Sequence, residues 1–237
     1  MTDIAQAEPA LLDIERFEQA KDGRLWRFLD RSIRFLNGSG LRWAAFGSCS
    51  VFAHRGIVRR LTRDLDIFLP REDFERLEAV AQGAGLDAAR ERDSFVRIRD
   101  DIYQIHAVPD TYTIFDYRSG EVLAPLHAPV DWDGVAVRPL HFSTPLPPLD
   151  LRVAPAETVA CICMMRPLNV NSIDDITGLL TRPAAEPRGI RRFVEANPPV
   201  AALVQAQLER LARTSTATPD LQQTVQDLLV ELRPCPD

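Results

Sequence analysis

The chain has 237 residues, of which 46% are hydrophobic and 26% are charged, so it can bury an ordinary globular core. Its formal net charge of −6 gives no general attraction to nucleic acid or to anionic membranes. A nucleic-acid acceptor would therefore need a local basic patch, and the one dense candidate is the run RGIVRRLTR at 55–63. No stretch of eighteen apolar residues and no secretory signal pattern is present. Four scattered cysteines do not make a disulfide framework, so a cytoplasmic location is expected.

Hydrophobic periodicity predicts a mixture of helices and strands in the first part of the chain. Apolar residues recur at helical spacing in DGRLWRFLDRSIRFLN, which ends at the breaker NGSG. The next segment, LRWAAFG, is typical of a buried strand, and SCSVFAHRG after it is typical of a helix opened by a serine. A strand is then predicted at DLDIFLP, followed by an amphipathic helix at REDFERLEAVAQGAG. The pattern then alternates from Leu86 to Val108, which predicts a hairpin with the Asp100-Asp101 pair at its tip.

The second part of the chain changes to helical patterns. Residues 109–151 are rich in Pro, Asp and Gly, contain the strand-like piece GVAVRPL, and lead through HFSTPLPPLD, which we expect to be an irregular linker. Helical patterns follow in PAETVACICMMR, NSIDDITGLLTR, GIRRFVEA, PPVAALVQAQLERLAR and PDLQQTVQDLLVEL. The predicted fold class is α+β, with an α+β domain at 1–150 and a C-terminal helical domain at 151–237.

A Gly-Ser turn lies between the first predicted strand, LRWAAFG, and the helix that follows it. Free backbone N–H groups and the dipole at a helix start both favour an anion, so the turn suits a phosphate group. Gly47 allows close approach of the backbone, and Ser48 adds a hydroxyl donor. Taken alone, such a turn is more often an ordinary helix cap.

Two aspartates occupy alternate positions of the next predicted strand. Asp64 and Asp66 therefore project from the same face, where they repel each other unless they are solvated, paired or bound to a cation. A magnesium ion that also contacts substrate phosphates is a common solution. The alternative is a solvated strand face with Arg63 or Arg60 as partner. The Gly-Ser turn upstream favours the metal site.

This arrangement resembles the nucleotidyltransferase superfamily, whose fold is shared with DNA polymerase beta, and in particular the branch of lincosamide and aminoglycoside nucleotidyltransferases and abortive-infection type toxins. The matching elements are Gly47-Ser48 and the run Arg60-Leu61-Thr62-Arg63-Asp64-Leu65-Asp66. The family's post-sheet helix and the Asp-rich helix after it are similar to the run VAPAETVACICMMRPLNVNSIDDITGLL. The resemblance covers roughly 40–182. It implies a small mixed β-sheet nucleotidyltransferase core with flanking helices, a C-terminal helical bundle, Mg2+ (or Mn2+) on Asp64 and Asp66, and a nucleoside triphosphate on the Gly-Ser turn.

The sequence departs from this family pattern in two places. Where relatives carry a third carboxylate on a neighbouring strand, the run reads Tyr103-Gln104-Ile105-His106, with an amide at the acid's position. The first C-terminal helix also lacks the lysine that reaches the phosphates in relatives. Gln104 and His106 share a strand face, which we expect to point toward the aspartates. His106 then either replaces the missing base or ligates a metal, or is simply hydrogen-bonded to a neighbour.

Arginines are the available cations for a triphosphate. We expect Arg60 and Arg63 to bind nucleotide, because a guanidinium can bridge phosphate oxygens with two parallel bonds. The alternative is a solvated cluster that balances the aspartates. Asp174 and Asp175 are expected near a helix start, and the family resemblance places an acid of this segment near the site. His54 is expected to be a surface or capping residue.

Two functional hypotheses follow. In the first, the chain is an enzyme that moves a nucleoside monophosphate from a nucleoside triphosphate to the hydroxyl of a small molecule, a tRNA or a protein, with Asp64, Asp66 and His106 as catalytic residues. In the second, it is a catalytically degenerate nucleotide-binding or interaction module on the same fold, which the amide at Gln104 favours. A globular scaffold with a structural aspartate pair is a third reading.

Overall fold

The computed structural model of the protein describes residues 7–115, 122–166, 168–181, 186–214 and 218–232, and within them not the side chains of 7–20, 113–115 and 122–125. The described helices are α1 (Ala7–Gly38), α2 (Gly47–Arg55), α3 (Arg71–Gly83), α4 (Ala156–Met164), α5 (Val170–Leu180), α6 (Pro187–Ala196), α7 (Ala201–Ala212) and α8 (Pro219–Glu231). The described strands are β1 (Ala44–Phe46), β2 (Asp64–Leu69), β3 (Asp87–Arg92), β4 (Phe95–Asp100), β5 (Tyr103–Pro109), β6 (Thr111–Phe115), β7 (Val122–His127), β8 (Ala136–Leu140) and β9 (Leu149–Val153).

Seven of these strands form a mixed sheet in the order β3-β4-β5-β2-β1-β9-β8, while β6 and β7 form a separate two-stranded hairpin. At the centre of the sheet, β1 runs antiparallel to β2, and β2 runs parallel to β5. β9 pairs in parallel with the other side of β1. The end of β1 and the starts of β2 and β5 therefore meet at one edge of the sheet, which is where the turn after β1 also lies.

The alternation of side chains along β2 separates two hydrophobic cores. Leu65, Ile67 and Leu69 are buried in a cluster with apolar residues of α1 and α3. Phe68, on the opposite face, is buried in a second cluster that includes residues of α4 to α8. Asp64 and Asp66 precede Phe68 on that second face. The C-terminal helices thus pack on the face of β2 that carries the aspartates, but they bury Phe68 and leave Asp64 and Asp66 partly exposed.

The helix ends show why the chain turns where it does. α2 begins at Gly47 and ends at Gly56, a residue with φ 81° whose N–H bonds the carbonyl of Ala53. Glycine adopts this left-handed conformation without steric cost. α5 begins with a reciprocal capping box, in which the Asn169 side chain accepts from the Ser172 N–H and the Ser172 hydroxyl accepts from the Asn169 N–H.

The structure confirms the α+β class and the five C-terminal helices. It also confirms the hairpin tip, because Asp101 lies between β4 and β5 with φ 58°. The linker prediction for 141–150 is wrong at its end: residues 149 and 150 belong to β9, whose pairing with β8 and β1 keeps the chain in the sheet. The division at 150/151 stays a prediction, and β9 crosses it. No helix among the described residues is long and apolar enough to cross a bilayer.

Candidate active site

Two polar pairs face each other at the start of β2 and β5. The parallel register places Asp64 opposite Gln104 and Asp66 opposite His106. The Gln104 Nε2 donates to Asp64 Oδ1 at 2.8 Å. The His106 Nδ1 lies 3.3 Å from Asp66 Oδ1, and its Nε2 lies 3.8 Å from Asp64 Oδ1. The expectation that Gln104 and His106 point toward the aspartates is therefore met, and the amide occupies the position next to Asp64.

The Gly-Ser turn lies directly against this pair. Gly47 has φ +68°, and a Cβ built on it would lie 2.1 Å from Asp66 Oδ2, so only glycine fits both the backbone and the neighbouring carboxylate. The helix cap is Phe46, without a side-chain bond, and the first turn of α2 holds no acid. The prediction that a serine opens this helix is wrong, since α2 begins one residue earlier. Its first N–H groups remain available to an anion.

The arginine predicted to bind nucleotide is engaged by an acid of α5. Arg60 makes two parallel bonds to Asp175, at 2.7 Å from Nη1 and 2.5 Å from Nη2, and its Nη2 donates to Ser48 Oγ at 3.3 Å. The hydrogen bond to Asp175 raises the pKa of Arg60, against the opposing effect of burial. Arg60 also lies over the ring of Phe52, 5.2 Å from its centroid. Arg60 therefore connects α5 to the Gly-Ser turn.

The rest of the basic run is partly neutralised in the same way. Arg55 donates to Asp174 Oδ2 at 2.6 Å, and Arg59 lies 3.9 Å from the same carboxylate. Two consecutive acids on α5 therefore offset two of the four positive charges of the basic run at 55–63. Arg63 is the exception: it is exposed and, since Asp64 faces the site, lies toward the opposite face of the sheet. The structure thus brings Arg60 to the turn and separates Arg63 from it.

Sequence reasoning missed Arg166, which follows α4 at the end of the run MMR. Burial raises the pKa of the Tyr112 hydroxyl. The positive charge of Arg166 lowers this pKa and the negative charge of Asp66 raises it, so both charges act on the same buried group. Cys163 also lies among these charges: burial raises its pKa to about 12, Arg166 and Arg60 lower it, and Asp175 and Asp66 raise it. Arg166 is exposed and has no ion pair among the described residues. The family pattern places a lysine within the first C-terminal helix, whereas this arginine lies two residues after α4.

His54 is a core residue, and its predicted surface or capping role is wrong. It is 8% exposed, and its Nε2 lies 2.9 Å from the carbonyl of Ala154. Burial lowers the pKa of His54 to about 4. The hydrogen bond to the Ala154 carbonyl raises this pKa, and the positive charge of Arg138 lowers it further. The Cys49 thiol is likewise buried, which raises its pKa and makes it unreactive. Neither group belongs to the polar cluster of the site.

The donor set of the polar cluster suits a hard divalent cation that brings further oxygen ligands with it. Among the described residues no group of three or more His, Cys, Asp or Glu side chains has metal-site geometry. The two carboxylates of Asp64 and Asp66 are nevertheless side by side, and Gln104 offers an amide oxygen if its side chain rotates. Mg2+ is commonly held by one or two carboxylates, with substrate phosphates and waters completing the shell. The residues present therefore fit Mg2+ bound together with a nucleotide.

Comparison with known proteins adds a likeness of fold. No family model and no curated protein matches the chain. Among solved structures, the antibiotic-resistance factor ANT(2'')-Ia aligns at 15% identity with a TM-score of 0.49, over 81% of this chain and 95% of its own. The lincosamide antibiotic adenylyltransferase LnuA, lincomycin-bound, aligns at 12% identity with a TM-score of 0.42, over 64% of this chain and 93% of its own.

A third solved structure is an antigenic nucleotidyltransferase-like protein from Paracoccidioides brasiliensis, at 14% identity and a TM-score of 0.35, over 72% of this chain and 87% of its own. Identities this low leave substrate and chemistry to be judged from the chain's own residues. The chain is thus similar to a solved antibiotic-resistance factor, a lincosamide antibiotic adenylyltransferase and a nucleotidyltransferase-like protein.

Proposed function

We propose that the chain is a metal-dependent nucleotidyltransferase, which moves a nucleoside monophosphate from a nucleoside triphosphate to an acceptor hydroxyl. The observation that carries this proposal is the contact between the phosphate-binding turn and the carboxylate pair. A Cβ on Gly47 would fall 2.1 Å from Asp66 Oδ2, so a phosphate on the turn lies beside the aspartates. An anion and a bridging cation are what this juxtaposition accommodates.

Each polar residue of the cluster has a role in this proposal. Asp64 and Asp66 hold Mg2+ (or Mn2+), and the N–H groups after Gly47 hold phosphate oxygens. Asp175 orients Arg60, which positions the Ser48 hydroxyl through its 3.3 Å contact. When bound, the metal ion neutralises charge on the triphosphate and favours attack at the α-phosphorus.

Arg166 supplies the cation that the first C-terminal helix otherwise lacks. It is exposed, unpaired among the residues that the structure describes, and electrostatically coupled to the same buried hydroxyl as Asp66. A guanidinium can contact two phosphate oxygens at once, so Arg166 suits the β- and γ-phosphates. Arg60, held by Asp175, is available to phosphate only if that ion pair opens.

Proton transfer is assigned to His106. A neutral imidazole that donates from Nδ1 to Asp66 Oδ1 keeps a lone pair on Nε2. The acceptor oxygen forms a bond to the α-phosphorus while the bond between that phosphorus and the bridging oxygen breaks, releasing pyrophosphate. The acceptor's proton goes to His106 Nε2, which is buried without a hydrogen-bond partner among the described residues, so the acceptor must displace the groups that cover it. General-base assistance of this kind contributes typically about 10²–10⁴-fold to the rate.

A second candidate function is nucleotide binding without transfer. The observation that favours it is the 2.8 Å bond from the Gln104 amide to Asp64, which replaces a negative charge with a donor at the metal pair. Such a site retains two metal ligands but lacks the third acid. Both candidates require that nucleotide and metal bind together, and they differ only in whether labelled nucleotide reaches an acceptor.

The experiment is calorimetric titration of nucleoside triphosphates with Mg2+ and with chelator, followed by transfer of labelled nucleotide to candidate acceptors. We expect chelator or Asp66→Asn to weaken nucleotide binding by at least ~100-fold, since loss of mere supporting contacts at metal sites already costs about 10–100-fold. The matched control is Asp87→Asn, an aspartate on β3 that is 67% exposed. Equal nucleotide affinity with and without Mg2+ would refute the metal site.

A further inference from the structure

An arginine cluster lies on the sheet face opposite the aspartates, around the hydroxyl of Tyr103. It consists of Arg24 and Arg27 of α1 and Arg63 at the start of β2, and we call these three residues with Tyr103 the arginine rim. All three arginines are exposed. None of their guanidinium groups has an ion pair or hydrogen bond among the described residues. This differs from the 55–60 part of the basic run, where acids of α5 engage the guanidinium groups.

Tyr103 fixes the centre of the rim. Its ring is 6% exposed and stacks on Phe28 of α1, with centroids 5.0 Å apart and planes 15° apart. Burial raises the pKa of the Tyr103 hydroxyl, whereas Arg24, Arg63 and Arg27 lower it. The hydroxyl has no hydrogen-bond partner among the described residues. The stacking of Phe28 on Tyr103 brings the turn of α1 that carries Arg24 and Arg27 to the start of β5. Arg63 lies beside the same strand start, since its carbonyl accepts from the Gln104 N–H.

Few acids counter this charge. Asp101 lies at the β4–β5 turn, is exposed, and raises the pKa of the Tyr103 hydroxyl. Asp100 is engaged by Arg31 at 2.5 Å. The rim thus carries three cations against one available carboxylate, in a chain whose formal net charge is −6. Unpaired cations concentrated against the overall charge indicate a site for an anion.

The rim adjoins the proposed active site through the backbone. Arg63 and Asp64 are consecutive, as are Tyr103 and Gln104, and the Gln104 N–H bonds the carbonyl of Arg63 at 2.9 Å. Consecutive residues in strands face opposite ways, so the rim and the carboxylate pair flank the same edge of the sheet. An extended molecule that passes over this edge reaches both sites.

We propose that the arginine rim binds a phosphate group of the acceptor, so that the hydroxyl substrate is a phosphate-bearing compound such as a nucleotide or a single-stranded RNA. This inference rests on the proposed nucleotidyl transfer for its function, but binding at the rim does not. Guanidinium groups and a tyrosine hydroxyl are donors that suit phosphate oxygens. The metal pair is not needed for this contact.

The test is a measurement of probe binding to the chain in the presence of chelator, so that no metal ion occupies the aspartate site. The probes are a nucleoside monophosphate and a short single-stranded RNA, titrated into the wild-type chain and into the triple variant Arg24→Gln, Arg27→Gln, Arg63→Gln. We expect the triple variant to lose ~10-fold or more in affinity at low salt. For the RNA, the slope of log K against log salt should fall by about 2, since each phosphate contact on a single strand contributes ~0.7.

Two further variants make the result specific. Arg34→Gln removes another exposed arginine of α1, one that pairs with Asp30 at 2.9 Å, and should leave probe affinity unchanged. Tyr103→Phe keeps the stacked ring and removes the hydroxyl, and should weaken both probes. Binding of both probes supports a mononucleotide-sized ligand, and binding of RNA alone supports a polymeric one.

The proposal is overturned if neither probe binds the wild-type chain, if the triple variant binds as the wild type does, or if Arg34→Gln loses as much as the triple variant. Asp66→Asn separates this proposal from the enzymatic one. It should abolish metal-dependent triphosphate binding and leave chelator-insensitive binding at the rim intact. If Asp66→Asn loses triphosphate binding but keeps probe binding in chelator, the arginine rim binds phosphate independently of the proposed catalytic site.

Discussion

Strands β2 and β5 run parallel in strict register, yet one face of the pair changes its chemistry along three positions. At the start of the strands this face carries Asp64 with Gln104 and Asp66 with His106. One step further it carries Phe68 opposite Val108, both buried under the C-terminal helices. The backbone pairing is the same at both ends. What differs is whether a helix covers the strands, so the uncovered end is the one available to ligands.

The largest loss of stability is expected at the covered end, where Phe68 and Val108 lie under the C-terminal helices. Phe68 is fully buried and stacks on Phe46 with centroids 4.1 Å apart. We expect Phe68→Ala to lower the free energy of unfolding by about 4 kcal/mol, through lost burial and the cavity left behind. For a chain of this size, thermal melting should then shift down by roughly 10 °C. Nucleotide affinity of the remaining folded protein should be unchanged.

The partner measurement is Phe95→Ala at the uncovered end. Phe95 is partly buried and lies 5.2 Å from the His106 ring. Its loss should cost less stability than that of Phe68, about 1–2 kcal/mol, because less apolar area leaves water. Equal destabilisation by the two variants would show that the two ends are packed alike, contrary to the comparison.

A smaller effect is expected where the covering helices contact the polar end. Asp175 is 7% exposed and holds Arg60 by two bonds. We expect Asp175→Asn to destabilise the fold by about 1–2 kcal/mol, since the half-buried guanidinium of Arg60 loses its charged partner. Nucleotide affinity should also fall, because Arg60 no longer positions Ser48. Chemical denaturation and calorimetry measure the two effects separately.

The neighbouring acid provides the control for that variant. Asp174 is 51% exposed, although it also contacts an arginine. Asp174→Asn should cost less stability than Asp175→Asn, because the Asp174 carboxylate is solvated and Arg55, whose side chain is 8% exposed, keeps its bond to the Asp174 carbonyl. If Asp174→Asn were the more damaging of the two, the connection from α5 to the Gly-Ser turn would not run through Asp175.

A small effect on stability is also expected from a charge added to the uncovered end. Gln104→Asp places a carboxylate beside Asp64, which should lower the free energy of unfolding by about 1 kcal/mol without metal. Crowding by Asp64 and Asp66 should raise the pKa of the new carboxyl. Mg2+ should reverse the destabilisation and increase any transfer activity. Gln104→Asn, which shortens the side chain without adding charge, should respond to Mg2+ as the wild type does.

The sequence predicted the chemistry of the uncovered end better than its surroundings. Alternation along two strands was sufficient to place Asp64, Asp66, Gln104 and His106 on one face, because a strand's side-chain period is fixed. Register across β2 and β5 was not readable, since it depends on pairing between segments forty residues apart. Residues 149 and 150 were assigned to a linker because prolines surround them, whereas their pairing with β8 is a tertiary effect.

Charge partners were the least predictable feature. Arg60 was expected at the phosphates, but its partner Asp175 lies more than a hundred positions away in the chain. Nothing in the local pattern of α1 distinguishes Arg24 and Arg27 from its other arginines, because their proximity to Arg63 depends on the packing of Phe28 against Tyr103. Local patterns report which face a side chain takes, and long-range packing decides which opposite charge it meets.

The position of β9 has a consequence for the order of folding during synthesis. β1, which leads into the Gly-Ser turn, pairs on one side with β2 soon after it in sequence, but on the other side with β9, about a hundred residues later. The second edge of β1 therefore stays open until most of the chain has left the ribosome. Non-local pairings of this kind slow folding and leave strand edges exposed to other chains in the meantime. The nascent protein thus exposes an aggregation-prone strand until residue 153 is available to cover it.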